Sequence, residues 1–177
     1  FPEDTECDIL IVGGGGGGAG YDDGGGGGAG GLVFINNLIL HNRYTLLVGK
    51  GGVGDDSEQR GENGFDSVFN ISGVDGVNSF TAKGGGGGGV GYNSDHVKLN
   101  GNDGGSGGGA TGETANYLGG NSTQNTYIYN GIKRGYGNKG GDGYSSGGKG
   151  SAAGGGAGFP GMNSDSTDEG VPGGDGL

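Results

Sequence analysis

Apolar residues fall in short runs, and each run passes directly into glycine. Residues 9–12 read Ile-Leu-Ile-Val and continue into six glycines at 13–18. Leu46-Leu47-Val48 leads into Gly49-Lys50-Gly51-Gly52, and Thr81-Ala82-Lys83 leads into six more glycines at 84–89. Further glycine-rich tracts lie at 24–28, 104–109 and 154–156. The β-branched and aromatic runs bounded by turn residues predict strands at 8–12, 32–40, 44–48, 67–72 and 79–83, with a hairpin-like island at 127–132. No glycine-free window places apolar residues at i, i+3, i+4 and i+7, so essentially no α-helix is expected. His41-Asn42-Arg43 is expected as a short hairpin connection and residues 73–78 as the link between the last two strands, giving an antiparallel meander. Its apolar faces need a cover, from a second sheet or from the glycine tracts.

Composition changes the picture, because glycine supplies 56 of 177 residues. Collagen is excluded, since glycine comes in blocks instead of at every third place and prolines number only three. Ordering glycine costs about 1–2 kcal/mol or more per residue. The hydrophobic residues, 28% of the chain with no Trp, offset little of that. The remaining source of stability is the backbone. Polyproline II-type helices have no internal hydrogen bonds, and glycine helices side by side can pair N–H with C=O at close range, each bond contributing about 0.5–1.5 kcal/mol net. The expected fold is therefore all-β with little or no α-helix, an antiparallel sheet or sandwich joined to a bundle of polyglycine II helices. One domain over 1–177 is expected, strand-rich over 1–83 and polyglycine-helix-rich over 84–177, because neither part has enough apolar material to fold alone.

The net charge is −11 and the pI about 4.3, which argues against nucleic acid as a partner. No run approaches 18 apolar residues, so no membrane insertion is expected in this stretch. Without an initiating methionine or a signal-peptide core, the stretch reads as a mature product or an excised piece. Cys7 is the lone cysteine, hence the candidate for an intermolecular disulfide. Asn70-Ile71-Ser72 and Asn121-Ser122-Thr123 make Asn70 and Asn121 candidates for N-glycosylation.

Catalytic and cofactor chemistry finds little footing. Residues 13–20 satisfy G-x-G-x-x-G after a strand, but more glycine and Tyr21-Asp22-Asp23 follow where a pyrophosphate-binding helix should start. Gly49-Lys50 and Gly148-Lys149 lack the Ser or Thr of a phosphate loop. Residues 51–56 open like a calcium-binding nonapeptide, which makes Asp55 and Asp56 weak candidates for Ca2+, but the motif occurs once and a solvated acidic loop is the favoured reading. The carboxylates at 22–23 and 165–169 serve solubility equally well. His41 and His96 are isolated in sequence, and no serine, base and acid stand in a recognisable spacing. No cofactor and no enzymatic activity are expected. Tyrosines at 92, 117, 127, 129, 136 and 144 are expected to cap bundle edges, or in an adhesin to stack on sugars.

Several of these segments together resemble a known family. They are Ile9-Leu10-Ile11-Val12 with glycines 13–18, the tract 24–31, Tyr44-Thr45-Leu46-Leu47-Val48-Gly49, Asn63-Gly64-Phe65-Asp66-Ser67, and Thr81-Ala82-Lys83 with glycines 84–89. The pattern resembles the glycine-rich domain of the anaplastic lymphoma and leukocyte receptor tyrosine kinases, and the glycine-helix bundles of some phage tail-tip adhesins. The resemblance implies a β-sandwich joined to hydrogen-bonded polyglycine II helices, located outside the cell and without catalysis. The receptor modules carry several cysteines where this chain has one.

The functional expectation is an extracellular structural protein, the self-assembling subunit of a surface filament or fibre, with itself as principal partner. A fibre-tip adhesin that binds glycans or a surface protein is an alternative, and a ligand-binding receptor ectodomain is another.

Overall fold

The computed structural model describes all residues except 22, 75–76, 92–94, 113–116, 145–149 and 166–168, and leaves aside the side chains of 72–74 and 77. In chain order its elements are β1 (Thr5–Val12), β2 (Leu32–Leu40), β3 (Thr45–Leu47), β4 (Ser67–Val74), β5 (Val77–Ala82), a one-turn 3-10 helix (His96–Leu99), β6 (Ile128–Tyr129), β7 (Ile132–Lys133) and β8 (Gly135–Tyr136). The fold is all-β, and no α-helix occurs among the described residues. All pairing within the sheets is antiparallel: one sheet has the order β1-β2-β8, a second β3-β4-β5, and β6-β7 is a separate hairpin.

The link over 73–78 joins the antiparallel neighbours β4 and β5 as expected, but the strands do not form one meander, because β1 and β2 belong to one sheet and β3, β4 and β5 to another. The segment His41-Asn42-Arg43 is a crossover and not a hairpin, since β2 and β3 belong to different sheets. Asn42 turns that corner with a φ of 80°, a conformation that Asn tolerates better than most residues.

The core lies between the sheets, where Ile11, Val33, Ile35, Leu38 and Leu40 meet Phe69, Ile71 and Phe80. In β2 the buried positions change phase, from odd at Val33 and Ile35 to even at Leu38 and Leu40. A β-bulge makes that possible: Asn36 and Asn37 together oppose Asp8, with Asn37 at φ 56° and its N–H donating to Asp8 Oδ1 at 3.0 Å. Without the extra residue one half of β2 would turn its aliphatic side chains to water.

Each of the long strands continues into, or emerges from, a glycine tract. The N–H groups of Gly13, Gly16 and Ala19 donate to the carbonyls of Gly31, Gly28 and Gly25, so tracts 13–19 and 25–31 keep the antiparallel partnership of β1 and β2. On a second side Gly14 and Gly17 donate to Phe65 and Glu62, and their carbonyls accept from Gly85 and Gly88. On a third the carbonyls of Gly15 and Gly18 accept from Gly52 and Asp55. Partners recur every three residues, whereas a flat strand repeats every two and reaches only neighbours in its own sheet. Side chains hold packed sheets about 10 Å apart; past the strand ends the same two layers close to hydrogen-bonding distance.

Farther along, tract 104–112 exchanges hydrogen bonds with six others, at 23–29, 84–89, 99–102, 120–123, 138–141 and 152–155. A Cβ on Gly108 would fall on the carbonyl of Gly87, well inside van der Waals contact, and the obstacle is backbone that cannot step aside. Beside this bundle Val90, Leu99, Ala110 and Tyr117 form a smaller apolar cluster. Arg60 holds the 3-10 turn to it, with Nη1 donating to Asn102 Oδ1 at 2.6 Å, Nε to Lys98 O at 3.2 Å and Nη2 to Val97 O.

Two alanine substitutions separate these environments. Gly108→Ala is expected to destabilise by about 1–3 kcal/mol or more through overpacking. At Gly15 the Cβ would meet nothing nearer than 3.9 Å and φ lies outside the left-handed region, so Gly15→Ala is expected to be neutral or to stabilise by up to about 1 kcal/mol by restricting the unfolded chain. Urea unfolding of the two variants checks both.

Candidate interaction edge

One edge of the sandwich lacks a strand. β1 packs on β4 and β5, and β2 packs on β5, while β3 lies one position farther out in its own sheet. Leu46 is directly paired with Phe69, so both side chains point to the inner face. Yet Phe69 is 3% exposed and Leu46 is 70% exposed. The difference arises because the opposite sheet ends at β1, with no strand to lie over β3. Leu47 and Val48, the latter 84% exposed, extend the uncovered surface.

The result is a groove of about 390 Å3 between residues 9–12 of β1 and residues 46–48 and 67–69. A second lobe of about 340 Å3 reaches Phe1, Leu40, Arg43 and Tyr44. β1 and β3 each end their sheets here, so alternate backbone groups along each free edge lack a ladder partner, those of β1 beneath the overhang of β3. The groove closes where the strands become glycine tracts, because Gly52 and Asp55 bond to Gly15 and Gly18.

The far edge is built differently. Tyr127 Oη accepts the Thr81 N–H at 2.9 Å, and its ring stands edge-on to Phe80 at 5.3 Å. Gln124 accepts the Lys83 N–H at 2.9 Å through Oε1 and donates to Thr81 O at 3.0 Å through Nε2. Segment 124–136 thus straddles β5 and β2, and Tyr129 enters the core. The β6-β7 hairpin turns at Asn130 and Gly131, with φ of 50° and 74°, and leaves Ile128 (65%) and Ile132 (54%) exposed.

The remaining sequence candidates are scattered. Cys7 is half-buried on the inner row of β1 with Ile9 and Ile11; it lines the sandwich and does not project from it. Asp55 accepts the N–H of Ser57 at 2.7 Å and the hydroxyl of the same residue, while Asp56 is exposed. No group of three or more His, Cys, Asp or Glu side chains gathers among the described residues. Asn70 and Asn121 are both exposed. His96 Nδ1 lies 3.0 Å from Tyr117 Oη, and His41 Nδ1 lies 3.6 Å from Asp4. Tyr117 and Tyr129 are buried and Tyr127 is packed on the core; these three fill apolar clusters where the sequence suggested bundle edges. Tyr92, Asp22, residues 166–168 of the second acidic stretch and the Gly148-Lys149 pair lie outside the described residues.

A family model described as "Glycine-rich domain" matches residues 1–177. The chain belongs to that family. No curated protein and no solved structure matches it. Within this glycine-rich domain, sequence reasoning missed the overhang of β3 and the Arg60 clip. The overhang had one signal, three consecutive aliphatic residues on a strand too short to bury them all; the clip had none, because its acceptors are mainly backbone carbonyls.

The Ser57 hydrogen bonds hold the Asp55 carboxyl below the usual aspartate range. Its contribution to stability is therefore present above the ordinary aspartate pKa and lost as pH falls through the lower folded value. NMR titration is expected to give Asp55 a midpoint below that of an unperturbed aspartate, with Ser57→Ala moving it back up.

Proposed function

We propose that this protein is an extracellular, non-enzymatic structural subunit that polymerises with copies of itself into a surface filament or fibre. The observation that carries the reading is the open apolar edge, where two unpaired strands and an inward-facing but exposed Leu46 present the features that invite strand addition. Soluble monomers normally blunt such an edge with charge, proline or a covering element. Here the groove-lining residues 9–12 and 44–48 contain no charged residue and no proline, and the only charges on β1, Glu6 and Asp8, lie farther along the strand.

We read the tracts as polyglycine II helices: a three-residue turn accounts for hydrogen-bond partners that recur every three residues in three directions. Such a bundle spends its hydrogen bonds on rigidity, which suits a load-bearing subunit better than a mobile binding module. The whole chain is one structural unit in this reading, since strands and tracts share their partners. An extracellular location is supported by the exposure of Asn70 and Asn121, both proposed glycan acceptors, and by the resemblance to receptor and adhesin modules.

Electron microscopy of the purified chain without denaturant tests the reading. Long uniform filaments with a single 17.0 kDa repeating unit are expected; discrete monomers at every concentration would overturn it.

A further inference from the structure

The vacant position beside β1 has a definite shape, and not every strand of a second copy can fill it. An antiparallel β1-to-β1 pairing about a two-fold axis would bring both overhanging β3 strands to the same side. Each would then collide with the other copy's β4, because β3 projects past β1 by one strand. The symmetric dimer is blocked, so a copy that fills the position must present a different part of itself.

Charge indicates which part. β1 carries Glu6 and Asp8 and no Lys or Arg, with Glu3 and Asp4 just before it. Residues 124–136 carry Lys133 and Arg134 and no Asp or Glu, in a chain whose net charge is −11; Arg134 is buried, so Lys133 supplies the exposed charge. The structure puts these segments at opposite edges of one sheet, β1 at one end of the order β1-β2-β8 and the 124–136 segment at the other. Glu6 and Asp8 are exposed along β1, and Lys133 is exposed on β7. The hairpin at that edge also carries two exposed aliphatic residues on opposite faces, Ile132 on the face of its partner Tyr129 and Ile128 on that of Lys133.

We propose that the β1/β3 groove of one copy receives the β6-β7 hairpin of the next, joining copies head to tail. The inference rests on the self-assembly reading above and specifies its joint. Ile132 covers Leu46 on the inner side, while Ile128 and Lys133, on the opposite face of the hairpin, lie beside Leu10 and the carboxylates on the outer row of β1. Because the two surfaces differ and lie on opposite edges, each added copy exposes a fresh groove or a fresh hairpin, and growth continues. The hairpin has no cysteine, so the joint is non-covalent.

Two variants of the full chain test this. Leu46→Lys disables the groove and leaves the hairpin; Ile132→Asp with Lys133→Glu disables the hairpin and leaves the groove. All three positions are exposed, so thermal melts by circular dichroism should match the wild type, with Val48→Lys in reserve should Leu46→Lys melt early. Each variant alone is expected to remain monomeric by light scattering, and an equal mixture to form dimers that grow no further. A hairpin variant that still forms filaments, or a mixture that stays monomeric, would overturn the head-to-tail joint. Filaments from the wild type in the same experiment would leave the self-assembly reading standing, whereas a monomeric wild type would sink both.

Discussion

Backbone hydrogen bonds between extended segments, made at a separation that only glycine permits, are the constraint on which the rest of this structure depends. In an ordinary sandwich the layers are held apart and together by the same side chains. Here that arrangement covers only the strand portions, around Phe69, Phe80 and the aliphatic residues of β2. Beyond Val12, Leu47 and Ala82 the layers approach until Gly14, Gly17, Gly85 and Gly88 bond across them. A bond that contributes about 0.5–1.5 kcal/mol net offsets the ordering of a glycine only if nearly every bond is made, so the bundle tolerates few missing partners.

Strands and tracts consequently need each other. Glycine carries no side-chain pattern with which to choose a register, and a tract slipped by three residues along its neighbour would recover almost the same bonds. The strands remove that freedom. The Asn37 bulge locks β1 against β2, and a slip of one residue there would invert every buried side chain. The tracts in turn extend short strands that would be marginal in isolation.

This division explains what could be read from the chain. Strand positions were legible at 8–12, 32–40 and 67–72 because Ile, Val, Leu and Phe signal them locally. That the glycine tracts would need hydrogen-bond partners around them was legible in outline, because ordered polyglycine has little other source of stability. The pairing was not: nothing in six glycines says whether their neighbour is tract 25–31 or tract 62–65. The crossover at 41–43 was misread for a related reason. Its short polar turn between two strands is equally compatible with a hairpin, and only the burial of Leu40 against the second sheet sends β3 to the other layer. The open edge was legible only as an excess of aliphatic residues at 46–48.

An exposed aliphatic edge on a chain with a net charge of −11 sets two forces against each other. Uniform negative charge would keep copies apart, and at physiological ionic strength screening shortens that repulsion to about 8 Å. The charges are not uniform, however. Exposed Glu6 and Asp8 stand along β1 and exposed Lys133 on β7 at the other edge, so in the proposed assembly two copies would repel in most orientations and attract in the one that brings opposite edges together. Under the head-to-tail reading, electrostatics selects the approach and the apolar groove supplies the affinity. That would explain why residues 9–12 and 46–48 need no blunting of their own: protection against unspecific pairing lies in Glu6 and Asp8 farther along β1 and in the distribution of charge over the whole chain.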